Sequence, residues 1–110
     1  MSELPVLYDI QAQFCRVIAN PRRLQIITLL DNNEMNVGDL AEQIGISIAN
    51  VSQHLRILRD NHIVKTRRSA QVIYYSLTDS RLPKTCRAIR TILLDGMKKR
   101  GEIVNKLNEV

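Results

Sequence analysis

At 110 residues the chain favours one domain, long enough to hide roughly two-thirds of its unfolded surface, and with 45% hydrophobic and 25% charged residues it is neither disordered nor fibrous. Sixteen Lys and Arg against eleven Asp and Glu leave a net charge of +5, which favours an anionic partner such as nucleic acid. Apolar stretches no longer than Val72 to Tyr75 exclude a membrane span; with no secretion signal at Met1-Ser2-Glu3-Leu4-Pro5, a cytoplasmic protein with its two cysteines reduced is expected.

Leu7, Ile10, Phe14, Val17 and Ile18 recur at helical spacing and predict a first helix over about residues 4–19. Asn20-Pro21 reads as an N-cap followed by proline at the first helical position, where its missing N–H costs nothing. The second helix then runs from 21 to about 31 and buries Leu24, Ile27 and Leu30 or their neighbours. Asn36 opens a short third helix, with Asp39 three residues on in a weak capping box. Leu40, Ala41 and Ile44 give it an apolar face, and Gly45 supplies a left-handed stop. Ser47 caps a fourth helix to about residue 61, so two helices meet across a short Gly-containing turn.

Beyond His62 the period changes from 3.6 to 2. The runs Ile63 to Arg67 and Val72 to Leu77 flank a polar turn at Ser69-Ala70 and predict a hairpin. Asp79 or Ser80 caps a last helix reaching about residue 107, with Leu82, Cys86, Ile89, Leu93, Met97, Val104 and Leu107 along one stripe. The expected fold is mostly α with a small β-hairpin, in a single domain over 1–110.

Around the fourth helix, Val51, Leu55 and Leu58 fall together and point to the core, while Ala49, Asn50, Ser52, Gln53 and Arg56 spread over the other side. Amide, hydroxyl and methyl groups on an outward helix face suit the base edges of a major groove, and Arg56 and Arg59 suit phosphates. The alternative is a solvated polar face; the Gly turn before the helix and the basic hairpin after it favour DNA. Arg67-Arg68-Ser69-Ala70-Gln71 would put two guanidiniums at a protruding tip, fit for the minor groove or else a protective edge charge. His54 sits at the edge of the core-facing side, either as a hydrogen-bonded strut or as a DNA contact. His62 reads as a cap or solvent residue, and Lys98-Lys99-Arg100 as a solvated helix end.

The order of elements resembles the winged helix-turn-helix of the ArsR/SmtB repressors. The resemblance is carried by Asn20-Pro21-Arg22-Arg23-Leu24-Gln25-Ile26, Val37-Gly38-Asp39-Leu40-Ala41, Val51 to Leu58 and Val72 to Leu77. It implies a repressor acting as a homodimer built from the first helix (about 4–19) and the last (about 80–108). It also implies an imperfect palindromic operator read by helix 47–61, with Ser47 at its cap, and by wing 66–72. In this family an effector typically releases the DNA. The long apolar stripe of the last helix independently favours a dimer.

Neither metal site of the family carries over. Its cysteine pair corresponds to Asn36-Val37-Gly38, and its Asp and His two residues apart to Asp79-Ser80-Arg81. No metal or other cofactor is therefore expected. Cys15 and Cys86 remain as either core packing or a redox, sulfide or arsenic sensor. No phosphate loop, nucleophile elbow or catalytic pair points to an enzyme. A non-specific architectural or RNA-binding winged helix stays open as a further class.

Overall fold

Asn20 separates the first two helices. Its backbone is extended (φ −146°, ψ 133°), and its side-chain oxygen accepts the N–H groups of Arg22 and Arg23 at 3.0 and 3.3 Å. Helix α1 (Leu4–Ile18) therefore stops before it and α2 (Pro21–Leu29) starts after it. The computed structural model describes residues 4–102, as one unit over residues 4–80 and a second, helical unit beyond.

In the first unit Asn36 caps α3 (Val37–Ile44) by accepting the Asp39 N–H at 2.8 Å and donating its amide to the Asp39 carboxylate at 3.2 Å. Gly45 then turns left-handed at φ 81°, and the N–H groups of Gly45 and Ile46 both return to the Ala41 carbonyl. Ser47 Oγ accepts the Asn50 N–H at 3.1 Å and opens α4 (Ile48–Asp60). At its far end His62 takes the left-handed position (φ 60°) where glycine is usual. The His62 and Ile63 N–H groups close that end on the carbonyls of Arg59 and Leu58, at 3.0 and 2.9 Å.

Among the described residues the sheet has three antiparallel strands rather than the expected two. Strand β1 (Met35–Asn36) pairs with β3 (Val72–Leu77), which pairs with β2 (Val64–Ser69), so the order is β1-β3-β2 and β2 is an edge. Ser69 pairs with Val72, which moves the turn to Ala70 and Gln71, with Ala70 at φ 54°. Thr78 closes the hairpin base, its hydroxyl donating to the His62 carbonyl at 2.7 Å.

The core of this unit is aliphatic: Val17, Ile26, Ile27, Leu30, Leu40, Ala41, Val51, Leu55, Leu58, Ile63 and Val64 are buried. Each large one contributes about 1.5–3 kcal/mol by leaving water. Leu24, expected inside, is 38% exposed, because Ile26, Ile27 and Leu30 set the buried face of α2 and Leu24 lies off it.

The second unit is α5 (Arg81–Lys99). It stops short of the expected 107 because Gly101 turns left-handed (φ 74°) and the N–H groups of Gly101 and Glu102 return to the carbonyls of Lys98 and Met97. Val104 and Leu107 lie outside the described residues. Among the described residues no helix is long and apolar enough to cross a membrane.

Candidate nucleic-acid interface

Burial divides α4 sharply. Val51, Leu55 and Leu58 are sealed in the core, while Ala49, Asn50, Ser52, Gln53, Arg56 and Arg59 are exposed. Neither Arg56 nor Arg59 has an ion-pair partner among the described residues. The amide, hydroxyl and guanidinium groups of this face are thus available to an incoming ligand.

Beside the helix lies an open groove of about 420 Å³, lined in part by Ser52, Gln53, Arg56 and Arg59 of α4 and by Tyr75 of β3. Tyr75 is absent from the sequence-derived candidates. The signal for it is strand alternation: Tyr75 shares a sheet face with Thr66, its direct partner, and with buried Val64.

Two of the predicted contacts are held by the protein itself. Ser47 Oγ is engaged in capping α4. His54 is partly buried, and its Nδ1 accepts a hydrogen bond from Arg23 Nε at 3.3 Å. Burial, with Arg23 and Arg22 close by, holds the imidazole below its ordinary 6.5.

The wing departs from the expectation of two guanidiniums at one tip. Arg67 and Arg68 lie within β2, paired with Tyr74 and Ile73, so they point to opposite faces of the sheet. Arg68 shares the face of Val64, Thr66 and Tyr75, which is the α4 side, and its Nε reaches the Ala70 carbonyl at 3.2 Å. Arg67 is on the other face, 4.9 Å above the Tyr74 ring centroid, with Nε and Nη2 on the Glu34 carboxylate at 2.7–3.2 Å. The hydrogen bond from Arg67 holds Glu34 below the usual carboxylate range. Glu34 lies 33 residues away and no local pattern pairs it with Arg67. Gln71 is exposed in the turn.

The two thiols differ. Cys15 is exposed on α1, so it is not the core residue that one reading of the sequence made it. Cys86 on α5 is half-buried, and burial pushes its thiol up against an opposing effect of Arg90.

A helix-turn-helix with an outward polar face, followed by a basic hairpin, defines a winged helix-turn-helix protein. Comparison with known proteins agrees. The model of the bacterial regulatory proteins of the arsR family matches residues 20–66. The chain is 44% identical over 87 residues to the nodulation protein NolR of Rhizobium meliloti, covering 79% of this chain and 71% of that protein. It is 37% identical over 81 residues to the biofilm growth-associated repressor of Xylella fastidiosa, covering 74% and 71%. The crystal structure of NolR from Sinorhizobium fredii matches with a TM-score of 0.75 at 41% identity, covering 84% of this chain and 92% of that one. This chain belongs to the arsR family, whose members are transcriptional regulators and not enzymes.

Proposed function

We propose that the protein is a cytoplasmic, homodimeric repressor that reads an operator of imperfect twofold symmetry through α4 and the wing. The observation that carries this reading is the exposed polar face of α4 behind its sealed apolar one. The amides of Asn50 and Gln53 suit adenine, the Ala49 methyl suits thymine, and Ser52 can bond to either strand. Arg56, Arg59 and, from the wing, Arg68 supply phosphate contacts that fix register. Gln71, exposed in the wing's turn, can add a polar contact. Repression is the role named for the Xylella fastidiosa relative.

Support for the dimer comes from apolar faces on two helices. Leu4, Leu7, Ile10 and Phe14 form one exposed stripe on α1, and Ile89, Ile92 and Leu93 are exposed on α5. Faces of this kind are a liability in a monomer and are covered when a second copy adds its own. Two copies related by a twofold axis would present their α4 helices to successive major grooves, about 34–36 Å apart.

The test compares binding to the DNA upstream of the protein's own gene with binding to random duplex at one salt concentration. A specific repressor shows a gap of at least ~4 kcal/mol, and sedimentation gives a dimer. A single subunit in solution that treats both duplexes alike would overturn the reading and leave an architectural role. Operator binding with and without reductant, persulfide, arsenite and zinc, on the native chain and on Cys15→Ser, decides the thiol-sensing alternative. Half-burial pushes the Cys86 thiol up, away from the thiolate that sensing needs, and gives that alternative little support.

A further inference from the structure

Arg67 has the charge of a DNA contact and the surroundings of a structural residue. The register of the sheet sets Asn36, Tyr74 and Arg67 in one row across β1, β3 and β2. Glu34 immediately precedes β1, so the pairing of that two-residue strand with β3 delivers the carboxylate to Arg67. The carboxylate then takes the Nε and Nη2 edge of the guanidinium, at 2.7–3.2 Å, while the Tyr74 ring backs it. That edge is the one with which arginine grips phosphate, because both anions offer two oxygens to the same fork.

We propose that Glu34 is an internal substitute for a backbone phosphate: it occupies the bidentate edge of Arg67 and withholds that cation from DNA, leaving Arg68 as the arginine of the wing that meets a phosphate. The consequence is a weaker sequence-independent attraction. Phosphate-derived affinity grows with the number of phosphates neutralised and is the same on operator and random duplex, whereas base reading by α4 does not depend on Arg67. Sequestering one cation in each subunit therefore lowers affinity for both duplexes alike and leaves base reading a larger share of what remains. The inference rests on the proposed reading only in that the wing approaches DNA.

The experiment measures the salt dependence of binding to a random duplex, which needs no knowledge of the operator. The native chain is compared with Glu34→Gln, Arg67→Gln and the double variant, with folding checked by circular dichroism. Glu34→Gln is expected to bind random duplex more tightly and to steepen the log–log salt slope by about 0.9 per subunit, the value for one added phosphate contact. Arg67→Gln and the double variant are expected to keep the native slope. A native slope for Glu34→Gln would overturn the inference. So would a flatter slope for Arg67→Gln, which shows Arg67 already on a phosphate and decides the matter even where Glu34→Gln fails to fold. Loss of operator preference in Gln53→Ala is read separately and concerns only the reading face. A native chain that bound no duplex would overturn both.

Discussion

Arg23 joins His54 to the end of α1: its Nε donates to His54 Nδ1 at 3.3 Å, and its Nη1 donates to the Val17 carbonyl at 2.9 Å. One guanidinium thereby links the last turn of α1, the first turn of α2 and the middle of α4. A nitrogen that accepts a hydrogen bond carries no proton, so this contact requires the neutral imidazole with its hydrogen on Nε2.

Acid should therefore weaken the fold through His54. Its folded pKa lies below its ordinary 6.5, so the unfolded chain takes up the proton first. The stability that the neutral ring contributes is fully present above about pH 6.5 and is lost as pH falls toward the lowered folded value. Urea midpoints at about pH 7.5 and about pH 5 should fall further for the native chain than for His54→Gln. Equal losses in the two proteins would contradict this.

Arg23→Ala removes two hydrogen bonds made by a partly exposed charged donor and should cost about 1–3 kcal/mol in chemical denaturation. Arg23→Lys should not restore it, since a single ammonium lacks the planar fork that spans both acceptors.

The two left-handed residues that flank α4 predict opposite effects. Gly45→Ala forces a Cβ into φ 81° and should destabilise by about 1 kcal/mol. His62→Gly relieves φ 60° at the end of α4 and should stabilise by about 0.5–1 kcal/mol. Thermal unfolding of both variants checks the pair.

On the reading face, Asn50→Ala and Gln53→Ala should each lose ~1–3 kcal/mol of operator binding and relax base preference, with thermal stability unchanged because both are exposed. Arg68→Ala should weaken operator and random duplex alike and flatten the salt slope by about 0.9 per subunit. Leu58→Ala, by contrast, should cost about 2–5 kcal/mol of stability, since it empties a fully buried site.

What the chain discloses locally was legible. Asn20, Asn36 and Ser47 each cap the helix expected from them, and Gly45 stops α3, because capping chemistry acts within three residues. The buried and exposed sides of α4 also follow from helical period alone. Pairings distant in sequence were not legible. Strand β1 is two residues long, too short to show a period, and exists only because β3 lies beside it. The Glu34 carboxylate meets Arg67 for the same reason, and without that partner Arg67 and Arg68 look equivalent. The end of α5 was misjudged because apolar spacing continues past Gly101, where the backbone turns left-handed.

Among the described residues the outer rim of β2 is bordered by no other strand, so its backbone groups are open to pairing with a neighbouring chain. Three of its six residues, Lys65, Arg67 and Arg68, are basic, and even with Arg67 paired to Glu34, two such strands laid side by side would bring together the charges of Lys65 and Arg68. Fibril growth from this hairpin is thereby opposed, and neutralising the basic row should expose a tendency toward insoluble, sheet-rich deposits.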